Sequence, residues 1–158
     1  MTIHGFDHHD HSSCVGDALA AAEAHCAAEK LQFTPVRRRV LEILLGEHKA
    51  MGAYDILPTL ADEGLGKQPP VIYRALDFLV ANGFVHKIER LNAYIACAHP
   101  GMDHAPAFMI CRSCSRVVET ESRPAAGLNA AAKDIGFAIE ATVIEAEGLC
   151  PNCQAPAE

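Results

Sequence analysis

Tryptophan is absent from the 158 residues, and aromatic side chains make up only 6% of the chain. The hydrophobic fraction of 50% is inflated by 27 alanines, so few large side chains are available to fill a core. Domains with cores this modest commonly rely on a bound metal or a partner subunit. No apolar run reaches the ~18 residues that a membrane-spanning helix needs. The first residues, Met1 to Phe6, lack both the basic region and the apolar stretch of a secretory signal, and a cytoplasmic location is expected. Lysine and arginine are missing from residues 1–29, which carry five acids. The net charge of −7 argues against a protein that coats nucleic acid. Residues 30–90 alone have a positive balance, nine basic against seven acidic, so any contact with a polyanion is expected to be local.

Cysteine is what the chain has in quantity. Seven cysteines in a reducing compartment, an odd number, favour thiolate ligands over disulfides. Cys111-Arg-Ser-Cys114 is matched by Cys150-Pro-Asn-Cys153. Each CxxC knuckle turns both sulfurs to one side, and two knuckles can close a tetrahedral four-thiolate zinc site. A closed set leaves no open coordination position, so this site is expected to be structural. A second, scattered set of donors comprises His86, Cys97, His99, His104 and Glu119. Its spacing alone assigns no metal.

Along the chain, residues 1–14 hold His4, His8, His9, His11 and Cys14 among small polar residues and read as a tail without a core. Asp17 is placed as the N-cap of an alanine-rich helix reaching Lys30, on which Cys26 reads as a small buried residue. Thr34-Pro35 starts a second helix, with Val36, Val40, Ile43 and Leu44 as its buried stripe. Arg37, Arg38 and Arg39 crowd its first turn, where the helix dipole disfavours cations. A third helix is expected over residues 53–63, with Pro58 inside it, and a fourth over residues 71–82, preceded by Lys67 and stopped by Gly83. In the fourth, Ile72, Leu76, Leu79 and Val80 face inward, leaving Tyr73, Arg74, Asp77 and Ala81 outside. Two short strands around a turn at residues 90–92 complete a helix-turn-helix with a β-hairpin wing, in which Arg74 is the first candidate for reading guanine. Strands at 108–110, 117–121 and 137–144 and a helix at 124–134 follow, giving an α+β chain.

Thr34-Pro-Val-Arg37, Tyr73-Arg-Ala-Leu-Asp77, Gly83-Phe-Val-His86 and the two knuckles resemble the Fur superfamily, and within it the zinc uptake regulator branch. The resemblance runs over about residues 15–153. It implies a homodimer, with a winged-helix DNA-binding domain at 15–97, a hinge at 98–106 and a small α/β dimerisation domain at 107–158. It implies structural zinc on Cys111, Cys114, Cys150 and Cys153, and a sensory zinc on His86, Cys97, His104 and Glu119, about two ions per subunit, with His99 as a competing ligand. DNA contacts would fall to Tyr73, Arg74, Arg37 and Lys67. The implied function is a zinc-responsive repressor of zinc-uptake genes that binds double-stranded operator DNA and spans no membrane. Two imidazoles, a thiolate and a carboxylate suit tetrahedral zinc better than iron. An iron- or peroxide-responsive regulator of the same fold is the nearer alternative. A zinc hydrolase is the more distant one, because it would need an open zinc position and an adjacent general base, and no HExxH occurs. Val71 stands where the family usually has threonine.

Overall fold

The computed structural model describes residues 12–47, 49–98, 100, 106–121 and 125–155. The histidines of the N-terminal tail, His99 and His104 lie outside them. The described residues fall into two compact units, one ending at residue 100 and the other starting at residue 106.

The first unit opens with α1 (Ser12–Ala28), α2 (Pro35–Leu45), α3 (Ala53–Asp62) and α4 (Pro69–Ala81). α1 starts five residues ahead of Asp17, which lies inside the helix instead of capping it; alanine's high helix propensity carries the helix past Gly16. Leu19, Ala22 and Cys26 form its buried stripe. α2 begins where the Thr-Pro pair places it, with the Thr34 hydroxyl accepting from the Arg37 amide at 3.4 Å. Its buried residues are Val40, Leu41 and Leu44, and Val36 and Ile43 are only partly covered. Pro58 sits inside α3, which nonetheless continues to Asp62.

Four helices end alike. Behind α1, α3, α4 and α5 (Ala125–Asp134), an amide reaches back five residues to a carbonyl: Leu31 to Cys26, Leu65 to Leu60, Phe84 to Leu79 and Phe137 to Ala132, at 2.8 to 2.9 Å. The residue before each of these is left-handed, and it is glycine in three cases. At Lys30 (φ 57°) a side chain accepts a conformation that glycine takes without strain.

Phe84 closes the helical core and leads into β1 (Val85–Ile88), which pairs antiparallel with β2 (Ala93–Ala96) across a 3-10 turn ending on left-handed Asn92. Met51, ahead of α3, exchanges two 2.8 Å hydrogen bonds with Tyr94, tying the wing to the helices.

The second unit is a three-stranded sheet. β3 (Pro106–Cys111) lies at its centre, antiparallel to β4 (Val117–Glu121) and parallel to β5 (Ile144–Gly148), with α5 in the crossover between β4 and β5. β5 begins only at Ile144, so residues 137–143, expected as a strand, form the approach to it. The parallel register explains the shift: β5 pairs Gly148 with Cys111, ending where the knuckles meet.

Candidate metal centre and nucleic-acid interface

The last residue of β3 is Cys111, and the chain turns at once through Ser115, whose amide donates to the Cys111 carbonyl at 2.9 Å. β5 delivers the second knuckle to the same end of the sheet, where Cys153 closes a turn onto the Cys150 carbonyl at 2.9 Å. The sulfurs of Cys111, Cys114, Cys150 and Cys153 all lie within 4.8 Å of one another. Cys114 and Cys150 are separated by 3.8 Å, and a tetrahedral zinc with Zn–S bonds of ~2.3 Å implies an S–S edge of ~3.8 Å.

Electrostatics agree with this geometry. The Cys150 amide points at the Cys111 sulfur at 3.3 Å, and it leads a set of backbone hydrogen bonds that bring the Cys111 thiol down to about 6. The Ser113 hydroxyl draws Cys153 the same way, but the neighbouring Cys150, Cys114 and Cys111 sulfurs, with burial, take it up to about 11. Four sulfurs this close cannot all ionise unless a cation shares their charge. The cluster therefore fits zinc, which all four thiolates would hold with no coordination position left open.

The second donor set is divided between the units. His86 lies on β1 opposite Ile95, and the amide of buried Cys97 donates to the Phe84 carbonyl at 2.9 Å. Residues opposed in an antiparallel ladder share a face, so this register puts His86 and Cys97 on one face of the wing as diagonal neighbours. Glu119 is on β4, opposite Phe108, in the other unit.

On the helical unit, α4 buries Ile72, Ala75, Leu76 and Leu79. Val80, expected inside, is 38% exposed, and Ala75 takes its place in the core. Tyr73, Arg74, Asp77 and Ala81 are exposed, as is Lys67 in the turn before the helix. The arginine cluster of α2 is engaged within the protein. The Arg37 guanidinium stacks 3.8 Å from the centre of the Phe78 ring and donates to the Gln32 carbonyl, and Arg38 pairs with Glu23. Arg39 forms a forked pair with Glu63 at 2.8 to 3.1 Å, and these hydrogen bonds hold the Glu63 carboxyl below its ordinary range. Sequence reasoning omitted Tyr54. It is 67% exposed near the start of α3, and its displacement from the buried Ala53, Ile56 and Leu60 is the signal that could have found it.

A winged helix-turn-helix with an exposed reading helix, carried in one chain with a sheet clasped by four cysteines, defines a winged-helix regulator of the metal-binding class. No protein-family model matches the chain. It is 39% identical over 139 residues to the zinc uptake regulation protein of Escherichia coli K12, covering 87% of this chain and 81% of that one, and equally to its Shigella flexneri counterpart. Among solved structures, a zinc uptake regulator complexed with zinc and DNA is similar with a TM-score of 0.84 at 38% identity, over 88% of this chain and 94% of that one. Holo XcZur gives 0.78 at 41% identity, over 87% and 96%. The chain belongs to the zinc uptake regulator family.

Proposed function

We propose that this protein is a zinc-responsive transcriptional repressor that acts in the cytoplasm as a homodimer on double-stranded operator DNA and silences zinc-uptake genes. The observation that carries this reading is the likeness, at a TM-score of 0.84, to a zinc uptake regulator complexed with zinc and DNA. No described helix is long and apolar enough to cross a membrane. In this reading residues 15–97 bind DNA, 98–106 are the hinge and 107–158 dimerise, while residues 12–14 of the tail expected at 1–14 belong instead to α1. Leu128, Ile135, Phe137 and Val143 are large apolar side chains exposed on the second unit, and β5 is an edge strand, both of which suit a surface covered by a second copy.

Each subunit takes about two zinc ions. Cys111, Cys114, Cys150 and Cys153 hold the structural one and clip the segment after β5 to the end of β3. His86 and Cys97 from the wing, His104 from the hinge and Glu119 from β4 form the sensory set. Zinc bound there supplies directional bonds to side chains of both domains. With those side chains held, the two recognition helices of a dimer keep one spacing, and a dimer contacts two half-sites together only at the spacing of the groove. Tyr73 and Arg74 then meet base edges and Lys67 a phosphate. Arg37, stacked on Phe78 of α4, braces the reading helix and adds its charge there.

The test is DNA affinity against free zinc at fixed salt, using protein whose tightly held zinc has been counted. One tight ion per subunit should give weak binding, and further zinc should raise affinity by roughly 5- to 150-fold, the usual size of such couplings. Affinity that stays flat across free zinc overturns the sensor. In the zinc-loaded protein, Arg74→Ala is expected to weaken specific binding by about 1 to 3 kcal/mol and to relax preference at one base pair. Lys67→Ala should instead weaken binding to all sequences alike and reduce the salt slope by about one. Titrations at several salt concentrations separate the two.

A further inference from the structure

At about 100° per residue around α4, Asp77 falls between Tyr73 and Arg74 on the exposed arc, while Ile72, Ala75, Leu76 and Leu79 cover the opposite arc. Its carboxylate is exposed, and no ion pair to a described residue neutralises it. Fold stability does not account for it. Aspartate is a poor helix former in mid-helix, Asp77 lies two turns from the N-terminus where the dipole would favour an acid, and its side chain is exposed. A carboxylate at the centre of a face that meets a polyanion lowers affinity for every sequence. In the major groove one group offsets this repulsion: the cytosine N4 amino group, which donates to Asp or Glu.

We propose that Asp77 is a specificity-determining residue that accepts a hydrogen bond from a cytosine amino group next to the guanine read by Arg74. The proposal rests on the DNA-binding reading above. It assigns the two charged residues of the exposed arc opposite tasks, Arg74 donating to guanine O6 and N7 and Asp77 accepting from cytosine N4. Operators would then be distinguished by a step of two base pairs in each half-site.

The experiment uses full-length, zinc-loaded protein and a library of DNA duplexes with a randomised core of about 25 base pairs, room for two half-sites one helical turn apart. Wild type, Asp77→Ala, Asp77→Asn and Arg74→Ala each select from it at the same salt. Wild type should enrich a symmetric motif. Asp77→Ala should keep every preference except one per half-site, where selection for cytosine falls about tenfold or more. Asp77→Asn should shift that same position toward adenine, whose N6 and N7 an amide can contact together. The proposal is overturned if Asp77→Ala returns the wild-type motif with uniformly higher affinity, which marks a solvated repulsive charge. It is equally overturned if Asp77→Ala loses only the preference that Arg74→Ala loses, which marks a residue that positions Arg74. If wild type itself enriches nothing at any zinc level, the DNA-binding reading falls first and the proposal with it.

Discussion

Cys150→Ser is expected to remove one zinc per subunit and to convert the dimer to monomers. Three thiolates and a hydroxyl form a much weaker site than four thiolates, and structural zinc commonly accounts for ~10 to 16 kcal/mol of apparent folding free energy in small domains. The second unit has little to set against such a loss. Its sheet has three strands, and β5 is held on one side only, by β3. The segment after Gly148 is anchored chiefly by the knuckle, including the Cys150 amide that serves the Cys111 sulfur. The first unit has its own core of Leu41, Leu44, Ile56, Leu60, Leu76 and Leu79 and should remain helical. Metal counting, sedimentation and circular dichroism on the same sample would check all three effects. A Cys150→Ser protein that keeps its full zinc complement and remains dimeric would remove the structural role from this cluster.

Cys97→Ala should have a contrasting result: a folded dimer with the four-cysteine zinc intact, and no zinc stimulation of DNA binding. The substitution removes one sulfur from a buried position and leaves the Cys97 amide bond to Phe84 in place, so the wing should keep its register. The proposed sensory set loses its only thiolate, and the roughly 5- to 150-fold response to zinc should vanish with it. Anisotropy titrations of wild type and variant against buffered free zinc provide the comparison. A full zinc response in the variant would show that the hinge set is misassigned. Together the two substitutions separate a metal that holds the fold from one that controls it.

Much of this was legible from residue order because the signals are local. Thr34-Pro35 starts α2 through a side-chain bond three residues long, and Gly83 ends α4 through a backbone bond five residues long. The apolar spacing of α4 alone places Tyr73 and Arg74 outside, where they are. The knuckles were legible for the same reason, since each CxxC orients its own two sulfurs. Errors arose where a distant partner decides. The strand expected at 137–144 begins at Ile144, because its start depends on pairing with β3 more than thirty residues earlier. Val80 was placed inside by periodicity, but the neighbouring helices cover Ala75 instead.

The sequence by itself determined most of the elements, the Thr34 start of α2, the Gly83 stop of α4, the two CxxC knuckles and the exposed positions of Tyr73 and Arg74, because each follows from contacts within about one helical turn or one knuckle. Only the tertiary structure decided where each cation is placed. Arg37, Arg38 and Arg39 are adjacent and chemically alike, yet one stacks on Phe78, one pairs with Glu23 and one is forked onto Glu63, while Arg74 stands exposed. It also decided that the two knuckles meet, since Cys111 and Cys150 come together through the parallel register of β5 on β3, a long-range pairing that no local spacing encodes.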